Sequence, residues 1–218
     1  MRVERWRRLT EWPLTAAAVA FLGLYAWRVI GNIRPPDADG IRFALLTLWA
    51  LFLANYIVTL LLTHHRRRWF LRHLPELTLA LFPFLGPLQL LRLVGLIQVL
   101  HHTAGNALRG RVSIYLVVSA ALIVFVGAVA ILDVEQNSDG ALITNIGDAV
   151  WWTLVTVTTV GYGDLYPVTA LGRLIAAGLM LVGIALIGAV TATFASWFVE
   201  RAAADRIAEA AEHREERG

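Results

Sequence analysis

Thr158-Thr159-Val160-Gly161-Tyr162-Gly163-Asp164 is a loop sequence with an unusual physical requirement. Its glycines alternate with residues that carry a β-carbon. Glycine enters left-handed backbone conformations at no steric cost. Placed at every second position, it lets successive peptide carbonyls turn toward the same side. Several such loops meeting around an axis would stack rings of carbonyl oxygens, and such rings replace the water shell of a cation. Carboxylates would hold the ion too tightly, and mobile side chains too loosely. Thr159 adds a hydroxyl at one end of the row.

The flanks fit this use. An apolar segment with two adjacent tryptophans, Asp148 to Val157, precedes the loop. A turn, Asp164-Leu165-Tyr166-Pro167, follows it, and then an apolar run from Leu171 to Val199. Short helix, loop and spanning helix form the setting in which a TVGYG loop lines a potassium-selective pore. The chain is 58 % hydrophobic and 16 % charged, which excludes an ordinary soluble domain. It has no cysteine, so disulfides and thiolate metal sites are absent. No Gly-Lys-Ser/Thr follows the glycines, so the loop is no phosphate cradle. Neither a nucleophile–base pair nor a metal-ligand cluster emerges, so an enzyme is not expected. The only ligand expected is K+ as permeant ion, with no cofactor, and membrane lipids rather than nucleic acid as surroundings.

Working outward, apolar runs predict spans at about 9–30, 41–63, 112–132 and 170–199. The first follows Arg2, Arg5, Arg7 and Arg8, but it is too long for a signal peptide and lacks a small-residue cleavage site. Between the second and third of these runs, Leu74–Leu100 is apolar but broken by Pro83, Gly86 and Pro87. Arg66, Arg67, Arg68 and Arg72 precede it, and Arg109 and Arg111 follow it. With both flanks held in the cytoplasm by positive charge, the stretch must cross twice, at about 72–84 and 86–102. The expected fold is therefore an all-α membrane protein with six transmembrane helices. Residues 1–8 form a cytoplasmic N-terminus and 9–102 a four-span bundle. Residues 103–111 are a linker and 112–199 a pore domain, with a pore helix at 146–157 and the loop at 159–163. Residues 200–218 form a charged cytoplasmic helix. Both termini lie in the cytoplasm, the membrane is the plasma membrane, and Asp133, Glu135 and Asp139 belong to an acidic loop outside.

From Trp151 to Val199 the chain resembles the pore of the small bacterial proton-gated potassium channels, and of voltage-gated potassium channels generally. The six-span layout extends the resemblance to the tetrameric voltage-gated family. The resemblance implies a homotetramer, because one chain supplies one quarter of a carbonyl ring. It implies K+ coordination by Thr159, Val160, Gly161 and Tyr162, with Gly163 completing the loop. The Tyr162 ring would pack on Trp151 and Trp152, and the Trp152 N–H would bond Asp164. Where the proton-gated channels carry a glutamate behind the filter, this chain has Val155. Tyr166 occupies the position at which an aromatic ring binds external tetraethylammonium. Gly183 aligns with a hinge glycine, and Ala192, Ala195 and Ser196 are candidates for an inner gate.

A voltage sensor needs arginine at every third position of its fourth span. Here that register reads Gly86, Gln89, Arg92, Gly95, Gln98 and His101. Arg92 is left with Glu76 and, in the second span, Asn55 as residual sensor residues, so weak or absent voltage dependence is expected. All six histidines map to the cytoplasmic side, and among them His101 and His102 are candidates for a pH sensor. The competing expectations are a proton- or lipid-gated K+ channel and a nonconducting, channel-like regulatory subunit.

Overall fold

The computed structural model describes residues 2–62 and 110–215. These form five helices: α1 (Arg2–Ile30), α2 (Asp39–Leu62), α3 (Gly110–Glu135), α4 (Ile146–Val157) and α5 (Ala170–Glu215). No strand occurs among the described residues. In hydrocarbon every backbone N–H and C=O must find a partner within its own segment, so long apolar runs fold as helices. Among the described residues, four helices are long and apolar enough to cross a membrane, over Trp12–Ile30, Asp39–Leu61, Leu116–Glu135 and Ala170–Ala203. The described residues thus make a multi-pass, all-helical membrane protein. The expected third and fourth spans lie outside the described residues, and with them Glu76, Arg92, His101 and His102.

α4 is too short to span. It starts from Asn145, whose side chain accepts the Asp148 N–H at 3.0 Å while its own amide donates to the Asp148 carboxylate at 2.6 Å. This reciprocal cap fixes where the short helix begins. At the start of α5 the Thr169 hydroxyl accepts the Gly172 N–H at 2.9 Å, a one-way cap. α5 then runs unbroken for 46 residues.

One core joins α1 to the pore segment. Phe21, Tyr25, Ala26 and Val29 of α1 pack with Ala128 to Leu132 of α3, Trp152 and Val157 of α4, and Ala176 and Leu179 of α5. At the centre of this junction a β-carbon on Gly127 would sit 2.8 Å from a Leu179 methyl and 3.0 Å from a Thr153 methyl. Only glycine lets α3 approach α4 and α5 so closely. Away from the core, Leu174, Leu181, Ile184 and Phe194 line α5 as exposed apolar side chains. A surface of this kind belongs against lipid or against other protein.

Candidate functional site

The loop after α4 takes its shape from the helix it leaves. Val160 and Gly161 both donate their N–H groups to the Val155 carbonyl, at 3.0 and 3.2 Å. Thr159 N–H donates to the Thr156 carbonyl, and the Thr158 hydroxyl to that of Leu154. The carbonyls of Leu154, Val155 and Thr156 are thereby used, and the chain leaves the helix in a defined direction. Left-handed backbone then recurs at alternate residues: φ is +62° at Thr159, +59° at Gly161 and +77° at Gly163. Two positions have the residue that adopts it freely. Thr159 does not, and a β-branched residue in this region costs on the order of 1–3 kcal/mol.

The far side of the loop is held by aromatics. The Tyr162 ring stacks on that of Trp151, with centroids 5.6 Å apart and planes 5° from parallel. The Trp151 indole N–H donates to the Asp164 carboxylate at 2.8 Å. The indole partner of Asp164 is thus Trp151 and not Trp152. Adjacent residues on a helix point about 100° apart. Trp152 is turned into the core, 5 % exposed, while Trp151 lies on the loop side. The Trp151 hydrogen bond holds the Asp164 carboxyl below the usual carboxylate range.

Beneath the loop, α4 rests on α5. A β-carbon on Gly183 would come within 2.5 Å of the Val157 carbonyl oxygen. Gly183 is therefore a seat for the carbonyl end of α4, inside a continuous helix. Val155 is buried behind the loop, and Tyr166 is exposed beyond it. Ala192, Ala195 and Ser196 lie exposed further along α5. Asn55 sits half-buried on α2 beside Tyr56, away from this cluster.

Glu135 is the residue the sequence did not single out. It lies in the last turn of α3, wholly buried, and not in an exposed acidic loop. Its carboxylate accepts the N–H groups of Val168 and Thr169, at 2.9 and 3.0 Å, and the Thr169 hydroxyl at 2.6 Å. Gly172 is small to make room for it, since a β-carbon there would clash with Glu135 Oε1. The apolar run stops at Leu132, but the helix continues to Glu135 because partners 33 and 34 residues further on satisfy its charge.

Across α3, α4 and α5, residues 112–200 match the model of the Ion_trans_2 family, described as an ion channel. The chain is 42 % identical over 77 residues to a voltage-gated potassium channel of Aeropyrum pernix, which covers 35 % of this chain and 26 % of that protein. It is 39 % identical over 79 residues to the calcium-gated potassium channel TvoK of Thermoplasma volcanium, covering 36 % of this chain and 23 % of that one. It is also 33 % identical over 108 residues to the human voltage-gated potassium channel regulatory subunit KCNF1, covering 44 % and 21 %. The chain spans about a quarter of the length of the first two of these relatives.

Proposed function

We propose that this chain is one subunit of a potassium-selective channel, with four copies arranged around the 159–163 loop. The observation that carries this reading is the left-handed backbone at 159, 161 and 163, tied to the end of α4 by the Val155 carbonyl. In the tetramer the carbonyls of Thr159, Val160, Gly161 and Tyr162, with the Thr159 hydroxyl, take the place of the ion's water. The carbonyl end of α4 adds a favourable dipole for a cation. The loop faces the outside of the plasma membrane, and both termini lie in the cytoplasm. Ala192, Ala195 and Ser196 narrow the opposite end. With Arg92 as the main charge in its register, voltage moves the channel weakly or not at all.

Similarity to a regulatory subunit keeps a second reading in view, a nonconducting partner of other channels. The intact run of Thr159, Gly161 and Gly163 favours conduction. Recording from the purified full chain in planar bilayers under a potassium gradient tests both. A reversal potential at the potassium equilibrium value is expected. Absence of potassium-selective current across voltage and cytoplasmic pH would overturn the reading in favour of the silent subunit.

A further inference from the structure

The last turn of α3 carries two carboxylates, Asp133 and Glu135. Two residues along a helix correspond to about 200° of rotation, so the two point to nearly opposite faces. Asp133 faces α1. Its Oδ2 accepts the Tyr25 hydroxyl at 2.5 Å and its Oδ1 the Arg28 guanidinium at 3.0 Å. The Arg28 guanidinium also lies over the Tyr25 ring, 5.1 Å from its centre. One residue beyond Glu135, Gln136 donates to the Val29 carbonyl at 3.1 Å, and Asn137 exchanges hydrogen bonds with Asn32. Glu135 faces the other way and holds Val168 and Thr169, the link between the 159–163 loop and α5.

We infer that this turn is a coupling bridge through which α1 sets the state of the loop's outer mouth. Asp133 and Glu135 belong to one rigid helical turn, so a displacement of α1 at Tyr25 and Arg28 rotates that turn and pulls on the Glu135 hydrogen bonds. Charge-assisted bonds at both ends make the connection stiff. The bridge joins α1 to the pore of the same chain, at the loop end of the helices. The consequence for conduction rests on the channel reading above: a displacement of α1 alters closure at the loop rather than at the inner gate.

Hydrogen exchange on the purified full chain tests the bridge without requiring conduction. Wild type is compared with Tyr25→Phe, Asp133→Asn and the milder Gln136→Ala, which removes one peripheral bond. Amides of Val168 and Thr169 should exchange about fivefold faster in Asp133→Asn, the factor that one lost hydrogen bond represents. Gln136→Ala should shift them in the same direction by less. A purely structural anchor would speed exchange in α1 and leave residues 168–169 unchanged, and that result overturns the proposal. If the wild type conducts, the decay of current during maintained opening is the second readout. Tyr25→Phe and Asp133→Asn should each change its rate about fivefold, and the double variant no further. Independent, multiplying effects or unchanged decay would also overturn it. A nonconducting wild type counts against the proposed function alone, since the exchange result still decides the bridge.

Discussion

Gly183 and the carbonyl of Val157 touch so closely that no β-carbon fits between them; it would lie 2.5 Å from the oxygen. The obstacle is backbone, at the end of a short helix whose other carbonyls are already engaged by the loop. Gly183→Ala must therefore push α4 or bend α5. A destabilisation of about 1–3 kcal/mol is expected, measured as a lower thermal midpoint of the detergent-purified assembly, together with weakened potassium selectivity. A role as hinge alone would change opening while leaving thermal stability and selectivity as they were.

The Trp151 hydrogen bond to Asp164 predicts a pH effect. A carboxyl held below its ordinary range stabilises the folded loop above that range, and the stabilisation is lost as pH falls through the lowered value. Trp151→Phe removes the N–H and keeps an aromatic ring against Tyr162. Its midpoint for loss of current on acidifying the loop side should move upward, toward the usual carboxylate range. Matching acid profiles for wild type and variant would show that the bond does not govern the loop.

Thr153 is fully buried, and its hydroxyl has no hydrogen-bond partner among the described residues. Leaving such a group unsatisfied costs about 1–3 kcal/mol. Thr153→Val keeps the branched shape that packs on Gly127 and removes the polar atom. A gain of about 1 kcal/mol is expected, read as a rise of roughly 2–4 °C in thermal midpoint for a chain of this size. A fall in the midpoint would mean that the hydroxyl is used in the assembled protein.

Tyr166 is 54 % exposed beyond the loop. Several rings surrounding one axis would hold a quaternary ammonium ion by cation–π attraction, each contributing about 0.5–1 kcal/mol at an exposed site. Tyr166→Val should weaken block by external tetraethylammonium about tenfold or more. Equal block in both proteins would remove the ring from the blocker site.

Helical class and membrane character were legible because they depend on the length of apolar runs, which tertiary contacts barely change. The glycines at 161 and 163 likewise announced a left-handed backbone. Thr159 did not, since a β-branched residue is the last one expected there; its φ is imposed by the bonds around it. The choice between Trp151 and Trp152 is a matter of helical phase, which depends on where α4 is capped and what it packs against. Glu135 was illegible for a different reason. A carboxylate at the end of an apolar run looks like the start of a loop, and only partners more than thirty residues away turn it into a buried anchor.

The unbroken course of α5 has a use in measurement. From the Val157 contact at Gly183 to the exposed His213, the helix extends on the order of 45 Å at 1.5 Å per residue. A tilt of about 5° at that contact would carry the far end through ~4 Å by the same geometry. A fluorophore or spin label at position 213 would thus magnify motions too small to resolve beside the loop. With no native cysteine to compete, a single introduced thiol could carry it.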